Sequence, residues 1–204
     1  RKTIRDMVAV LKSVVKYGRK HKIFPFEDWE IEYPTNAEVS RLPTLTIKHQ
    51  RILMRHLIEK PTAQNIGVLL ALCTGMRIGE VCALQWQDVD FRQRIITVRH
   101  TVGRVYNCEL KSTEKIHSSP KTRNSYRDIP ISKHLFQCLK TVKKVSASPY
   151  VVGSSEHSKE PRSYRDYFSR LLKRLDIPQI VFHCLRHINF SYSLKTRNLQ
   201  RFST

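Results

Sequence analysis

Thr74-Gly75-Met76-Arg77-Ile78-Gly79-Glu80 stands where a long apolar run ends and an amphipathic helix begins. A glycine after an apolar helical run is the usual left-handed stop. Arg77 is therefore predicted to sit on a rigid corner, from which a guanidinium can be aimed at a phosphate. The same residues fit a plain C-cap followed by a solvated charge, and taken alone they leave both readings open. Glu80 follows one helical turn later, on a neighbouring face. A carboxylate there can fix the arginine's rotamer, or it can form an ordinary surface pair worth little.

Upstream of this corner, Thr46 is a natural N-cap for a helix that runs through Glu59 and is stopped by Pro61. A second, apolar helix is predicted from about Ala63 to Thr74. Before them the pattern dissolves between Phe24 and Pro43 into aromatics, glutamates and prolines, which reads as a linker. The chain opens on a helix over Ile4 to Val15, where Ile4, Met7, Val8, Leu11, Val14 and Val15 recur at helical spacing after Thr3 as N-cap. A single helix cannot stabilise itself in water, so its partners are expected in an N-terminal portion outside the chain. Its polar face carries Arg5, Lys12, Lys16, Arg19 and Lys20. That face is either simply solvated or the end of a domain that clamps DNA.

Downstream, Arg77 to Leu84 forms the next helical turns, and the period then changes. Ile95 to Val98, Thr101 to Asn107 and Tyr126 to Ile131 are predicted strands, read together as one small three-stranded antiparallel sheet. Ser132 caps a helix through Val142, Tyr150 to Val152 is a short extended piece, Arg162 to Leu175 is a basic helix, and His183 opens the last one. The expected class is α+β, mostly helical with the small sheet at one edge.

Composition points to a polyanionic partner. The 204 residues carry 37 Lys and Arg against 17 Asp and Glu, a formal charge of +20, while 40% of the residues are apolar. Such an excess on a foldable chain argues first for nucleic acid. The longest uncharged apolar run, Ile66 to Cys73, is far too short to span a bilayer, and no signal peptide opens the chain. The five cysteines, Cys73, Cys82, Cys108, Cys138 and Cys184, are widely spaced and form no CxxC pair. They read as reduced, mostly buried thiols of a cytosolic protein. No Cys and His cluster has zinc spacing, so neither a metal site nor a cofactor is expected.

Two further islands accompany the Arg77 corner. Pro120 to Pro130 places Lys121, with Arg123 close by, in a polar turn just before the third strand, where Lys121 is either a solvated loop lysine or a group reaching outward. His183-Cys184-Leu185-Arg186-His187 puts His183 and Arg186 on one face of a helix start, where the helix N-terminus adds positive character. That pair suits an anion site, and it also suits a cap with a salt bridge.

In this order, helix, TGMRIGE, sheet with a lysine in its turn, two helices and HCLRH, the chain resembles the catalytic domain of the tyrosine recombinases, the phage-integrase family. The likeness runs through nearly all of Thr46 to Phe190. It implies a division into residues 1–25, the last helix of a core-binding DNA clamp, residues 26–45, a linker, and residues 46–204, an incomplete catalytic domain. It also implies site-specific DNA recombination by a mobile-element integrase, through a 3′-phosphotyrosine intermediate. Arg77 and Arg186 would hold the nonbridging phosphate oxygens as bidentate forks. Lys121 would protonate the departing 5′ oxygen, His183 would assist proton transfer, and Glu80 would orient Arg77. Arg5, Lys12, Lys16, Arg19, Lys20 and Arg123 would contact the DNA backbone, and His187 is read as structural.

The family's partners are double-stranded DNA and, at full length, a tetramer on two duplexes. A bacterial or phage origin and a cytoplasmic, nucleoid-associated location are implied as well. No tyrosine matches the family's nucleophile: Tyr192 is too close to Arg186 and reads as a packing residue, and Ser193 to Thr204 lacks the expected helix-Gly-turn pattern. The expectation is therefore that residues 1–204 alone cannot cleave DNA. The alternative is a noncatalytic DNA-binding remnant that occupies sites without cutting them. A basic ribosomal or RNA-binding protein is a third reading, in which Arg77 and Arg186 would matter only as charges.

Overall fold

The computed structural model describes residues 2–23, 44–109, 111–118, 126–153 and 156–188. The chain divides into two compact units, Arg1–Arg41 and Leu42–Thr204. In the first, helix α1 spans Lys2–Lys20, so Thr3 lies inside the helix and does not cap it. Arg5, Lys12, Lys16, Arg19 and Lys20 are all exposed. At about 100° per residue they fall on one face. The opposite face leaves Ile4, Met7, Leu11 and Val14 in solvent too. The predicted linker lies mostly outside the described residues, but Leu45 at its end is buried in the core of the second unit.

The second unit is built around α3 (Asn65–Thr74), a helix apolar all round and buried from Asn65 to Leu72. Such a helix must be covered on every side. It packs against α2 (Ile47–Glu59), α4 (Ile78–Ala83) and α5 (Lys133–Val145). Helix α2 begins as expected, with the Thr46 hydroxyl accepting from the His49 N–H at 3.3 Å. Ser132 stands at the N-cap of α5 but makes no side-chain cap bond. Helix α6 (Pro161–Arg174) comes so close to α3 that a β-carbon on Gly67 would lie 2.7 Å from Val152 and nearer still to the Tyr164 hydroxyl. That hydroxyl donates to the Gln64 carbonyl at 2.5 Å, and Tyr167 donates to Asn65. Tyr164 is fully buried without an unsatisfied oxygen.

The sheet corrects the strand assignment. A three-stranded antiparallel sheet is present, but its order is β1 (Val89–Asp90), β2 (Ile95–Val98), β5 (Arg127–Pro130). Ile96 faces Ile129 and Val98 faces Arg127 across the ladder. Thr101–Asn107, expected in that sheet, is β3 of a separate hairpin with β4 (Ser112–Ser118). Strand β4 is almost wholly polar and carries no alternation to read, and β1 has only two residues. Pro130 falls on the edge strand, where a missing N–H does little harm.

The hairpin lies directly on α4. A β-carbon on Gly79 would stand 2.5 Å from the Val102 carbonyl oxygen and 2.6 Å from the Thr101 hydroxyl. Gly79→Ala is therefore expected to lower stability by about 1–3 kcal/mol, the usual cost of overpacking, as measured by urea unfolding. A change within 0.5 kcal/mol, the usual range for a surface substitution, would show that the hairpin yields freely. On its outer side the hairpin is held by an Arg104–Glu160 ion pair at 3.4 Å and by Lys115, which donates to the Ser158 carbonyl at 2.5 Å.

All five cysteines are free: Cys82, Cys138 and Cys184 are buried, Cys73 is half-buried, and Cys108 is exposed. Burial pushes the Cys73 thiol up to about 11 and the Cys82 thiol up to about 12, so neither is a nucleophile at neutral pH. Among the described residues no helix is long and apolar enough to cross a membrane.

Candidate active site

The corner after α3 forms as its glycine dictates. Gly75 adopts φ 66° and ψ 22°, the left-handed conformation, and its N–H bonds to the Ala71 carbonyl at 3.0 Å. Met76 turns inward and is buried. Arg77 then stands at the N-cap of α4, extended in backbone, with its side chain 55% exposed.

Glu80 closes the first turn of α4 back on itself. Its Oε2 accepts from the Arg77 backbone N–H at 2.8 Å, and its Oε1 accepts from Arg77 Nη1 at 3.0 Å. The first bond satisfies an N–H that a helix start otherwise leaves orphaned. With a side chain only 5% exposed, this carboxylate is no ordinary surface pair.

A second arginine reaches the same carboxylate from the sheet. Arg127 Nη1 donates to Glu80 Oε1 at 3.1 Å and Nη2 to Oε2 at 2.7 Å, a bidentate fork. Burial alone would raise the Glu80 carboxyl. The bonds and charge of Arg127, together with the bonds from Arg77, outweigh it and hold the carboxyl below its ordinary range.

The third guanidinium comes from the last described turn, which is helical over residues 184–188 just after His183. Arg186 Nη1 donates to the Gly75 carbonyl at 3.1 Å, so the left-handed glycine that ends α3 also anchors the start of the last helix. Burial, and then the charges of Arg77 and Arg127, lower the proton affinity of Arg186, with Glu80 opposing them. A guanidinium stays charged regardless at any working pH. His183 is exposed, and its ring meets His187 edge-on with centroids 5.1 Å apart.

Arg77, Glu80 and Arg186 thus lie in one neighbourhood: Arg77 and Arg127 bond the Glu80 carboxylate, and Arg186, bonded to the Gly75 carbonyl, is near enough to feel the charges of all three. That assembly carries an excess of positive charge, three guanidiniums to one carboxylate. Lys121, Arg123 and Tyr192 lie outside the described residues. Arg127 is the residue that sequence reasoning missed. Its signal is strand alternation: Arg127 and Ile129 share the inner face of β5, opposite the buried Val98 and Ile96. An arginine on a core-facing position demands a buried carboxylate. Among the described residues no group of three or more His, Cys, Asp or Glu is placed to hold a metal ion.

Comparison with known proteins gives this arrangement its setting. The sequence pattern of the phage integrase family matches residues 44–198. The chain is 28% identical over 138 residues to a XerC-like tyrosine recombinase of Caldanaerobacter subterraneus subsp. tengcongensis, covering 58% of this chain and 35% of that protein. It is 31% identical over 130 residues to the ICEBs1 integrase of Bacillus subtilis, covering 58% and 34%. Among solved structures, the fold is similar to that of the Tn1549 transposon integrase in complex with a circular intermediate DNA, with TM-score 0.65, 21% identity, and coverage of 93% of this chain and 65% of that one. XerA recombinase is similar at TM-score 0.56 and 18% identity, covering 76% and 52%. The chain spans about a third of the length of these two curated relatives. The helical unit with small antiparallel sheets is accordingly the fold of an integrase catalytic domain, and the match across residues 44–198 means that this chain belongs to the phage integrase family, tyrosine recombinases that break and rejoin DNA.

Proposed function

We propose that this domain binds duplex DNA and serves site-specific recombination by the integrase of a mobile element in the bacterial cytoplasm. The observation that carries the reading is the cluster itself: Arg77 and Arg127 bond one buried carboxylate, and Arg186, held by the Gly75 carbonyl, is near enough to feel their charges, leaving more positive than negative charge beside a half-exposed Arg77. A phosphodiester attacked by an oxygen nucleophile gathers negative charge on its nonbridging oxygens. Arg77 and Arg186 take up that charge as fixed, always protonated donors. Glu80 orients Arg77, His183 assists proton transfer, and Lys121 protonates the departing 5′ oxygen. A tyrosine oxygen forms the new bond to phosphorus as the bond to the 5′ oxygen breaks. The 5′ hydroxyl of another strand then reverses the step.

Arg5, Lys12, Lys16, Arg19 and Lys20 on α1, and Arg123, serve as backbone contacts. In this reading, residues 1–25 end a core-binding domain that closes the clamp, residues 26–45 link the two, and four copies act on two duplexes. Residues 1–204 alone hold no tyrosine at the expected place after Arg186, so they bind DNA without cutting it.

A nicked suicide duplex tests the chemistry. Residues 1–204 are expected to give no covalent adduct, and the protein extended by its gene's natural downstream frame is expected to give one, as read by denaturing gel. An extended protein that binds duplex and forms no adduct would instead mark a noncatalytic remnant. Binding by residues 1–204 should fall steeply with salt, with each neutralised phosphate adding about 0.9 to the slope of log affinity on log salt.

A further inference from the structure

We propose that Arg127 is a positioning residue of the phosphate site: by forking onto Glu80 from the sheet, it satisfies that buried carboxylate and leaves the charge of Arg77 free for phosphate. The inference rests on the reading of Arg77 and Arg186 as phosphate ligands and adds a residue that this reading does not contain.

The hydrogen-bond count around Glu80 carries it. Each carboxylate oxygen accepts two bonds, Oε1 from Arg77 Nη1 and Arg127 Nη1, and Oε2 from the Arg77 backbone and Arg127 Nη2. Arg127 commits both terminal nitrogens, whereas Arg77 commits one. Exposure divides the pair the same way, at 28% for the Arg127 side chain against 55% for Arg77. One arginine therefore faces the carboxylate and the other faces solvent, although both touch the same group. Were Arg127 absent, a carboxylate 5% exposed would have a single cation within reach. Burial makes an uncompensated charge costly, so Glu80 would draw Arg77 into a bidentate pair and cancel it. The division of labour also crosses the fold: Arg127 is on β5, Arg77 on the corner before α4 and Arg186 on the last turn. The sheet thereby sets the charge available at the helix corner.

The test follows the Arg77 guanidinium directly, by the Nε–Hε signal in proton–nitrogen NMR of residues 1–204 titrated with inorganic phosphate. In the unaltered chain the signals of Arg77 and Arg186 should shift saturably. Arg127→Gln is expected to weaken phosphate roughly tenfold, about what one charge-assisted hydrogen bond contributes. Arg127→Lys, which keeps the charge but not the fork, should lose less.

The deciding variant is the pair Arg127→Gln with Glu80→Gln. With no carboxylate left to claim Arg77, phosphate affinity should return to within about threefold of the starting value, below the tenfold step of a lost charge-assisted bond. A double variant as weak as Arg127→Gln alone would overturn the inference, because Arg127 would then touch phosphate itself or merely hold β5 in place. So would an Arg127→Gln chain that binds phosphate normally. Should Arg127→Gln not fold, the comparison of Arg127→Lys with and without Glu80→Gln decides the same question. Arg77→Gln is the separate control: if it leaves phosphate binding unchanged, the phosphate-site reading fails, whatever Arg127 does.

Discussion

Glu80→Ala is expected to destabilise residues 1–204 by about 3 kcal/mol, the low end of what breaking a buried ion pair costs, and to do so in a pH-dependent way. The substitution removes four accepted hydrogen bonds and leaves the Arg77 N–H unsatisfied at the start of α4. It also removes the one carboxylate among three guanidiniums, so Arg77, Arg127 and Arg186 repel one another. Relief comes from the partial exposure of Arg77 and Arg127, which can swing into water. The pH dependence follows from the sign of the Glu80 shift. Its folded carboxyl titrates below the ordinary value, so the contribution is fully present above the unfolded value of about 4.3 and is lost as pH falls through the lower folded value. Urea unfolding at pH 7 should show the full difference between the parent and Glu80→Gln, an isosteric change that keeps the volume. Below about pH 4.3, where the carboxyl of the unfolded chain takes up its proton before the folded one does, the difference should shrink. A gap that stays constant from pH 7 to pH 3 would sink the assignment of Glu80 as a charged acceptor.

The parts of this site that could be read from sequence share a cause. Gly75, Thr46 and Pro61 act within a few residues of themselves, through backbone conformation and capping, and such effects leave local marks. Thus the Thr46 cap, the Glu59 end of α2 and the corner that carries Arg77 were legible in advance. Helix α3 was legible because an apolar run of this length with a glycine stop has few other fates. Arg186 was placed by its spacing from His183 at a helix start, although its bond to the Gly75 carbonyl links residues 111 apart.

What stayed illegible depends on pairing at a distance. Strand β3 gives no hint of which strand it will join, and β4, with Ser112, Thr113, Glu114 and Lys115 in succession, does not look like a strand at all. The third strand of the sheet is instead supplied by Val89 and Asp90, too few residues to show a period. Arg127 escaped for the same reason. Its partner Glu80 is 47 residues away, and the residue reads as one more cation in a chain with an excess of them. Only the inward register of β5 distinguishes it. The buried Tyr164 and the half-buried Tyr167 behave alike: they resemble any aromatic face of a basic helix until Gln64 and Asn65 are found opposite.

Arg77→Lys and Arg186→Lys are each expected to reduce strand cleavage by the extended protein by about 10²–10³-fold, the usual loss when one preorganised donor to a transition-state oxyanion is removed. Lysine keeps the positive charge and loses the planar fork, so the two contributions separate. Duplex affinity rests on summed charge and should change less than about tenfold in either variant. The two arginines should nonetheless differ in a second measurement. Arg77 is half-exposed and bonded within its own helix turn, so its replacement should leave the unfolding midpoint nearly unchanged. Arg186 joins the last helix to the carbonyl that ends α3, and lysine cannot supply the same in-plane donor. Arg186→Lys should therefore also lower stability by about 1 kcal/mol, one hydrogen bond's net contribution. Cleavage at the parent rate in either variant would remove that arginine from the site. Equal loss of cleavage and duplex affinity would make it a charge for holding DNA and not a clamp on the reacting phosphate.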